Sequence, residues 1–254
     1  MPEPLFTGVG VALVTLFGDD GSLDAAATAA HAARLVELGV RAVVVAGTTG
    51  EASALAPDER RELLGAVRAS ISPGSGVPVI AGTGAPSARQ AAALTTAARE
   101  DGADGVLVLS PPGSRDVRPY YDAVALAAGA TPVLAYHFPA VSPPGIPVAT
   151  LPGLAVAGCK DSSGDPDRLL ETVDVWLYVG SSALLSLAGP LGCAGAILAL
   201  ANAEPEHCIA AFAGDATAQR AIAGAHRRAQ SEFPRGVKRL TAARFGTPTG
   251  TRLG

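Results

Sequence analysis

Short apolar runs of strand length alternate with alanine-rich stretches of helical length along most of the chain. Continuous apolar strands of this kind are typical of a parallel sheet that is covered on both faces. The pattern predicts eight strands, at residues 10–16, 42–46, 77–81, 105–109, 133–135, 155–159, 177–179 and 194–198.

The segments between these strands carry signals that start and stop helices. Ser22 and Asp24 are capping residues before the first helix, and Gly39 ends it. The second helix has a proline in its first turn, Pro57, with the acidic Asp58 beside it. The predicted helices cover residues 24–38, 57–70, 87–100, 120–128, 166–173, 183–191 and 205–212.

Eight strands, all but the fifth followed by a predicted helix, within about 200 residues predict a (β/α)₈ or TIM barrel with short extra C-terminal helices. No linker interrupts the series, so residues 1–254 are predicted to form one barrel domain with 215–254 as a helical extension. A doubly wound open sheet is the alternative. That fold favours a GxGxxG phosphate loop after the first strand, whereas residues 16–21 read LFGDDG.

Composition narrows the class of function. The chain is 48% hydrophobic and 17% charged, so it can bury a large core. Its net charge is −4 with scattered basic residues, which argues against a nucleic-acid partner. No apolar run approaches the roughly 20 residues that span a bilayer, and we expect a cytoplasmic protein with no membrane partner. Cys159, Cys193 and Cys208 lack CxxC spacing and predict neither a disulfide framework nor a zinc site.

Lysine is rare, because only Lys160 and Lys238 accompany 17 arginines. Arginine stays charged, whereas lysine can lose its proton and act as a nucleophile. Lys160 directly follows the sixth predicted strand, where a desolvated amine could attack a ketone to give a Schiff base. The structural alternative is an ammonium group that reaches solvent, with Asp161 as a neighbouring partner. Lys238 lies in a basic helical stretch and is interpreted as a structural or surface residue.

Two other strand ends carry polar side chains. Residues 47–51 read GTTGE, and the hydroxyls of Thr48 and Thr49 with the N–H groups around Gly50 could hold a small carboxylate. An ordinary turn between strand and helix is the alternative. Tyr136 directly follows the fifth predicted strand and is either a proton shuttle or a half-buried core aromatic. Strand alternation points His137 away from the Tyr136 side.

Taken in order, these strand ends resemble the motifs of the dihydrodipicolinate synthase/N-acetylneuraminate lyase family. The similar segments are GVGV at 8–11, DGSLD at 20–24, GTTGE at 47–51, YHFP at 136–139, GCKDSSGD at 158–165 and GVK at 236–238. Members of this family are Schiff-base-forming class I pyruvate aldolases. The resemblance implies a TIM barrel, pyruvate or another 2-oxo acid plus an aldehyde as substrates, no metal or organic cofactor, and a homo-oligomer, either dimer or tetramer.

The resemblance also implies roles for single residues. Lys160 matches the lysine that forms an imine with the keto carbon, and Tyr136 matches the tyrosine that moves protons at that centre. Thr48 and Thr49 match the residues that hold the pyruvate carboxylate, and Thr49 also belongs to a proton relay in some members. The remaining positions assigned to substrate binding are Gly50, Gly180 and Ile197.

Three departures from the family pattern bear on the second substrate. Synthases that act on aspartate semialdehyde usually carry an arginine two residues after the motif proline, where this chain has Val141. Sialic acid lyases carry acidic residues just after the glycine matched by Gly180, where residues 181–183 read SSA. The aromatic pair that often follows the fourth strand is replaced by SPPG at 110–113, which removes the usual relay partner.

The sequence therefore predicts a class I pyruvate-type aldolase or lyase that makes or cleaves a 4-hydroxy-2-oxo acid through a Schiff base on Lys160. Ala140, Val141 and Ala183 on the outer side predict an aldehyde smaller or less polar than aspartate semialdehyde or a sugar. Two alternatives stay open. One is 4-hydroxy-tetrahydrodipicolinate synthase, which condenses pyruvate with aspartate semialdehyde, and the other is a catalytically weak family member that binds a 2-oxo acid.

Overall fold

Eight parallel strands close into a barrel in sequence order in the computed structural model, which describes residues 3–253. Each strand pairs with the next, and the last pairs with the first through Gly8 and Gly195. The closed sheet confirms the predicted TIM barrel and excludes the open doubly wound sheet. The strands are β1 (Gly8–Ala12), β2 (Ala42–Val45), β3 (Val79–Gly82), β4 (Gly105–Leu109), β5 (Val133–His137), β6 (Gly158–Asp161), β7 (Leu177–Val179) and β8 (Gly195–Leu198).

Helices surround the barrel and continue beyond it. They are α1 (Ala25–Glu37), α2 (Pro57–Ser70), α3 (Ala88–Glu100), α4 (Arg118–Ala128), α5 (Pro166–Glu171), α6 (Leu185–Ala188), α7 (Pro205–Phe212), α8 (Ala216–Ser231) and α9 (Arg235–Phe245). Asp24 caps α1 by accepting a hydrogen bond from the Ala27 N–H at 2.8 Å. Ser22 instead donates its hydroxyl to Asp20 at 2.6 Å. Within residues 3–253, no helix is long and apolar enough to cross a membrane.

The predicted first strand is longer than β1. Leu13 still donates its N–H to the Val44 carbonyl of β2 at 2.9 Å, but residues 14–16, which are buried like the strand, leave the sheet. The N–H of Val14 donates to the Asn202 side chain at 3.0 Å, and that of Leu16 donates to the Thr28 hydroxyl at 2.9 Å. The sequence therefore stays apolar after β1 because the chain remains buried where strand pairing has ended.

The sixth strand and the sixth helix also differ from their predicted bounds. β6 lies further along the chain than predicted, so Lys160 is inside the strand rather than just beyond it. The apolar residues 155–157 lie directly before β6 and are not part of the strand. The predicted helix at 183–191 is a 3₁₀ turn followed by the single turn of α6, because Gly189 and Pro190 end it.

Alternation along the strands divides the core into two layers. The inner layer fills the barrel and includes Val44, Ile80, Leu134 and Ile197. Phe6 closes its lower end by stacking on Tyr178, with 4.6 Å between ring centroids. The outer layer packs the other face of each strand against the helices. Because the barrel interior is filled, a ligand can enter only at its ends.

Lys238 is a buried structural residue. Its ammonium group contacts Glu51 Oε1 and the Gly250 carbonyl, both at 2.6 Å. The other carboxylate oxygen of Glu51 accepts the backbone N–H groups of Arg252 at 2.7 Å and Leu253 at 2.8 Å. Glu51 directly follows the GTTG segment, so this buried ion pair ties the C-terminal residues to the loop that carries Thr48 and Thr49.

We expect Lys238→Met to lower the free energy of unfolding by about 3–5 kcal/mol, because the variant leaves the Glu51 carboxylate buried without its cation. Urea denaturation measures the change. Arg239→Met is the matched control, since Arg239 pairs with Glu232 at 2.7 Å on the exposed surface and its loss should cost about 1 kcal/mol or less. Equal effects of the two substitutions would contradict a stabilising role for the buried pair.

Candidate active site

Most of the predicted site residues line one cleft at the carboxyl end of the barrel. The cleft has a volume of about 350 Å³ and is lined by Thr49, Tyr136, Lys160 and Gly180. Thr49 follows β2, Tyr136 lies in β5, Lys160 lies in β6 and Gly180 follows β7. Four segments distant in sequence therefore meet at the end of the fold where TIM barrels carry their chemistry.

Lys160 points into the barrel and is almost completely buried. Its strand neighbours in register are Tyr136 on β5 and Tyr178 on β7. The Nζ atom lies 4.2 Å from the centre of the Tyr136 ring. Burial disfavours the charged form and lowers the pKa of Lys160 from 10.5 to about 7. A substantial fraction of the amine, about half at pH 7, is therefore uncharged and available as a nucleophile.

Asp161 is not a partner of Lys160. Strand alternation turns the Asp161 carboxylate to the opposite face of β6. There Asp161 Oδ2 accepts the Arg168 Nε–H at 2.6 Å, and Oδ1 accepts the Ser163 N–H at 2.8 Å and its hydroxyl at 2.6 Å. Lys160 therefore has no carboxylate from Asp161 beside its amine. Such a carboxylate would have raised the pKa of Lys160.

Tyr136 is buried beside the lysine, with Phe138 stacked at 5.8 Å between ring centroids. The Ser162 hydroxyl donates to the Tyr136 oxygen at 3.4 Å. Burial raises the pKa of the Tyr136 phenol to about 12, although the side chains of Ser162 and Thr48 act in the opposite direction. The phenol is therefore protonated at neutral pH and can donate a proton.

The GTTGE loop is folded tightly against Leu13 and Thr15, which follow β1. Glu51 has a positive φ of 55°, and its N–H donates to the Thr48 carbonyl at 3.2 Å. The Thr15 hydroxyl donates to the Gly50 carbonyl at 2.7 Å. A Cβ at Gly50 would lie 2.9 Å from the Leu13 carbonyl oxygen, so no side chain fits there. Gly50 thus lies behind the loop, while Thr49 faces the cleft.

Gly180 and Ile197 occupy different places. A Cβ on Gly180 would lie 1.9 Å from the Ser162 hydroxyl, so glycine allows the ends of β6 and β7 to approach. Ile197 is fully buried in the inner barrel layer with Tyr136 and Tyr178 and does not line the cleft. The substrate-binding roles of Gly50, Gly180 and Ile197 stay predictions.

The segment after β4 does not contribute to the cleft. None of residues 110–113 lines it, and Ser110 accepts a hydrogen bond from Ser142 at its backbone carbonyl. Tyr120 and Tyr121 on α4 donate their hydroxyls to the carbonyls of Ala85 and Val108 at 3.0 and 2.9 Å, so neither phenol faces the lysine. In the described chain, Tyr136 is the tyrosine that lines the cleft.

Several cleft residues were not predicted from the sequence. Ser162 lies two positions after Lys160, so alternation along β6 could have identified it. His226 and Gln230 on α8 and Phe233 after it also line the cleft. No motif marks these three, because their placement depends on how α8 packs across the barrel.

The rate of imine formation with pyruvate is expected to rise with pH through a midpoint near 7. At a pKa of about 7 roughly half of Lys160 is uncharged at pH 7, against about 0.03% for an ordinary lysine. Because the uncharged amine is the nucleophile, lowering the pH below 7 should slow the reaction progressively. Rapid borohydride quenching between pH 5 and 10 measures this profile. A midpoint above about pH 9 would contradict the effect of burial on Lys160.

Comparison with known proteins makes the barrel with this cleft an enzyme of the carbon–carbon lyase and synthase type. The chain belongs to the dihydrodipicolinate synthetase family, whose model matches residues 5–238. The resemblance expected from the strand-end motifs is thereby confirmed.

Relatives of known sequence and structure agree with this assignment. An uncharacterized DapA-like lyase of Halobacterium salinarum is 42% identical over 78% of this chain and 68% of its own length. The 4-hydroxy-tetrahydrodipicolinate synthase of Natronomonas pharaonis is 34% identical over 87% and 80%. The dihydrodipicolinate synthase of Acinetobacter baumannii, crystallised in complex with pyruvate, superimposes with a TM-score of 0.89 at 29% identity, covering 98% of this chain and 92% of that one.

Proposed function

We propose that this protein is a class I aldolase that makes or cleaves a 4-hydroxy-2-oxo acid, with pyruvate as one substrate or product, through a Schiff base on Lys160. The observation that carries the proposal is a buried lysine with a pKa near 7 at the carboxyl end of β6, in one cleft with Tyr136 and Thr49. The complex of the Acinetobacter baumannii relative with pyruvate supports the choice of 2-oxo acid.

In the synthetic direction the Lys160 amine adds to the C2 carbonyl carbon of pyruvate, and the carbonyl oxygen leaves as water to give an iminium. The iminium draws electrons from C3, so the methyl group loses a proton and becomes an enamine. The enamine C3 then bonds to the aldehyde carbon, whose oxygen takes up a proton to become the 4-hydroxyl. Water hydrolyses the product imine and restores the amine. Cleavage is the reverse sequence, and its electron sink needs neither a metal nor an organic cofactor.

Tyr136 is proposed as the general acid and base for these proton transfers. Its phenol is protonated at neutral pH, and its ring contacts Lys160, so it is placed to donate to the departing carbonyl oxygen. The Ser162 hydroxyl, which donates to it, can pass the proton onward. We further propose that Thr48 and Thr49 hold the pyruvate carboxylate through their hydroxyls, with the loop N–H groups around Gly50.

The synthase activity is the alternative, and the relative from Natronomonas pharaonis favours it by its name. That reaction brings a second carboxylate into the cleft, on aspartate semialdehyde. No arginine is among the described residues that line the cleft, and Val141, where synthases usually have one, is an exposed apolar residue outside it. An unpaired carboxylate in a partly desolvated site costs several kcal/mol. We therefore propose an aldehyde without a carboxylate.

We expect rapid pyruvate release from a 4-hydroxy-2-oxo acid with an uncharged tail and slow consumption of aspartate semialdehyde in the presence of pyruvate. A coupled assay for pyruvate across short-chain, aromatic and sugar-derived 4-hydroxy-2-oxo acids measures the first rate, with enzyme-free reactions as the control. Consumption of aspartate semialdehyde with kcat/KM of about 10⁴ M⁻¹ s⁻¹ or more would establish the synthase instead. Imine formation without turnover of any compound would favour the catalytically weak 2-oxo-acid-binding protein.

A further inference from the structure

The outer wall of the cleft is built by the α8 region, which none of the strand-end motifs includes. His226, Gln230 and Phe233 line this wall. Lys160 and Tyr136 lie deeper, where the pyruvate half of a substrate would be attached. A substrate joined to Lys160 through its keto carbon would therefore extend its aldehyde-derived half toward α8.

His226 is held in place by a specific set of hydrogen bonds. Its Nδ1 lies 2.8 Å from the hydroxyl of Ser182, a buried residue in the turn after β7. Gln219, two turns earlier on α8, donates to the Ser182 carbonyl at 2.9 Å and accepts the Ser186 N–H at 3.0 Å. These contacts fix α8 against the turn after β7. Within the described chain, the second ring nitrogen of His226, Nε2, has no hydrogen-bond partner.

The chemistry of the wall suits an uncharged, hydroxylated chain. No aspartate, glutamate or arginine is among the described residues that line the cleft. Hydroxyl, imidazole and carboxamide groups supply donors and acceptors, at Ser162, Ser181, His226 and Gln230. Phe138 and Phe233 supply apolar faces for C–H groups. Small polar groups placed around apolar faces are the usual way that a pocket orients a ligand of this kind.

We infer that His226 and Gln230 determine the specificity for the second substrate by hydrogen-bonding to hydroxyl groups on the aldehyde-derived half of the 4-hydroxy-2-oxo acid. The inference rests on the proposed aldolase function and adds a substrate class to it, a hydroxyaldehyde. A hydroxyaldehyde differs from the smaller or less polar aldehyde expected from residues 140–141 and 183. That expectation did not include the polar side chains of α8.

Two substrates of equal length test the inference: the aldol adduct of pyruvate with glyceraldehyde and the adduct with propanal, which lacks the two tail hydroxyls. We expect wild-type protein to cleave the hydroxylated adduct with kcat/KM at least about tenfold higher, because unmade hydrogen bonds leave polar groups of the wall unpaired. His226→Phe and Gln230→Leu should each reduce this preference severalfold. Each should lower kcat/KM for the hydroxylated adduct and leave kcat/KM for the propanal adduct unchanged. His226→Gln, which keeps a polar group near the position of Nε2, should restore part of the preference.

Borohydride trapping of pyruvate on each variant separates this inference from the proposed function. Trapping should be unchanged in the α8 variants, and His207→Phe, at an exposed histidine on α7, is the matched control for both measurements. Two results with normal pyruvate trapping would overturn the specificity role of His226 and Gln230 without contradicting the proposed aldolase function. One is a wild-type protein with no preference for the hydroxylated adduct, and the other is a preference that the α8 variants retain. Absence of trapping in the wild type, or cleavage of neither adduct, would overturn the specificity role together with the proposed substrate class.

Discussion

Lys160→Arg is expected to lower turnover by about 10⁴-fold or more while the barrel remains folded, because arginine cannot supply an uncharged nitrogen nucleophile at any accessible pH. The substitution keeps a long cationic side chain, so it removes the nucleophile while retaining a positive charge. The measurement is kcat/KM for pyruvate release, with circular dichroism as the check of fold.

Lys160→Met provides the second arm of this experiment. Methionine fills the buried position with an apolar chain and avoids placing an obligate charge where burial already disfavours one. It should be at least as stable as the wild type and equally inactive. Residual turnover above about 1% in a folded Lys160→Met variant would show that the amine is not the essential nucleophile.

Tyr136→Phe is expected to reduce turnover by roughly 10²–10⁴-fold, since it removes the general acid and base but leaves the ring that packs against Lys160. The lysine stays buried, so imine formation should continue in part. The prediction is therefore a large loss in kcat with a smaller loss in the rate of pyruvate trapping, both measured on the same preparation.

Tyr178→Phe is a matched control for Tyr136→Phe. Tyr178 flanks Lys160 on the other side in the sheet register, but its hydroxyl donates to the Phe6 carbonyl at 3.0 Å at the lower end of the barrel. Its removal should reduce stability slightly and leave turnover unchanged. Equal turnover losses in the two variants, or none in Tyr136→Phe, would contradict the assigned role of Tyr136. Ser162, which donates to its hydroxyl, and Thr48 would be the next residues to test.

The sequence predicts the barrel well because strand-length apolar runs recur in chain order and every strand of a TIM barrel is buried on both faces. It predicts strand ends less well. Val14 and Leu16 are buried like β1, but their N–H groups donate to Asn202 and Thr28 outside the sheet. Hydrophobicity reports burial, and burial does not require pairing between strands.

The residues of the candidate site also fall into two groups, those that the sequence predicts and those that it does not. Thr49, Tyr136 and Lys160 are predictable because a parallel barrel brings all carboxyl strand ends to one side. His226 is not, because its contact with Ser182 joins residues 44 positions apart through the packing of a helix outside the barrel. Lys238 lies in a basic stretch that is typical of a solvated helix, yet a buried carboxylate at Glu51 places it in the interior. Neither contact has a periodic signal in the sequence.

Mass spectrometry of the intact protein after incubation with pyruvate and borohydride tests the central claim most directly. The account predicts the addition of one reduced pyruvyl group, located by peptide mapping on Lys160 and absent from the Lys160→Met variant. An adduct on Lys238, or no adduct with pyruvate or any other 2-oxo acid, would contradict it.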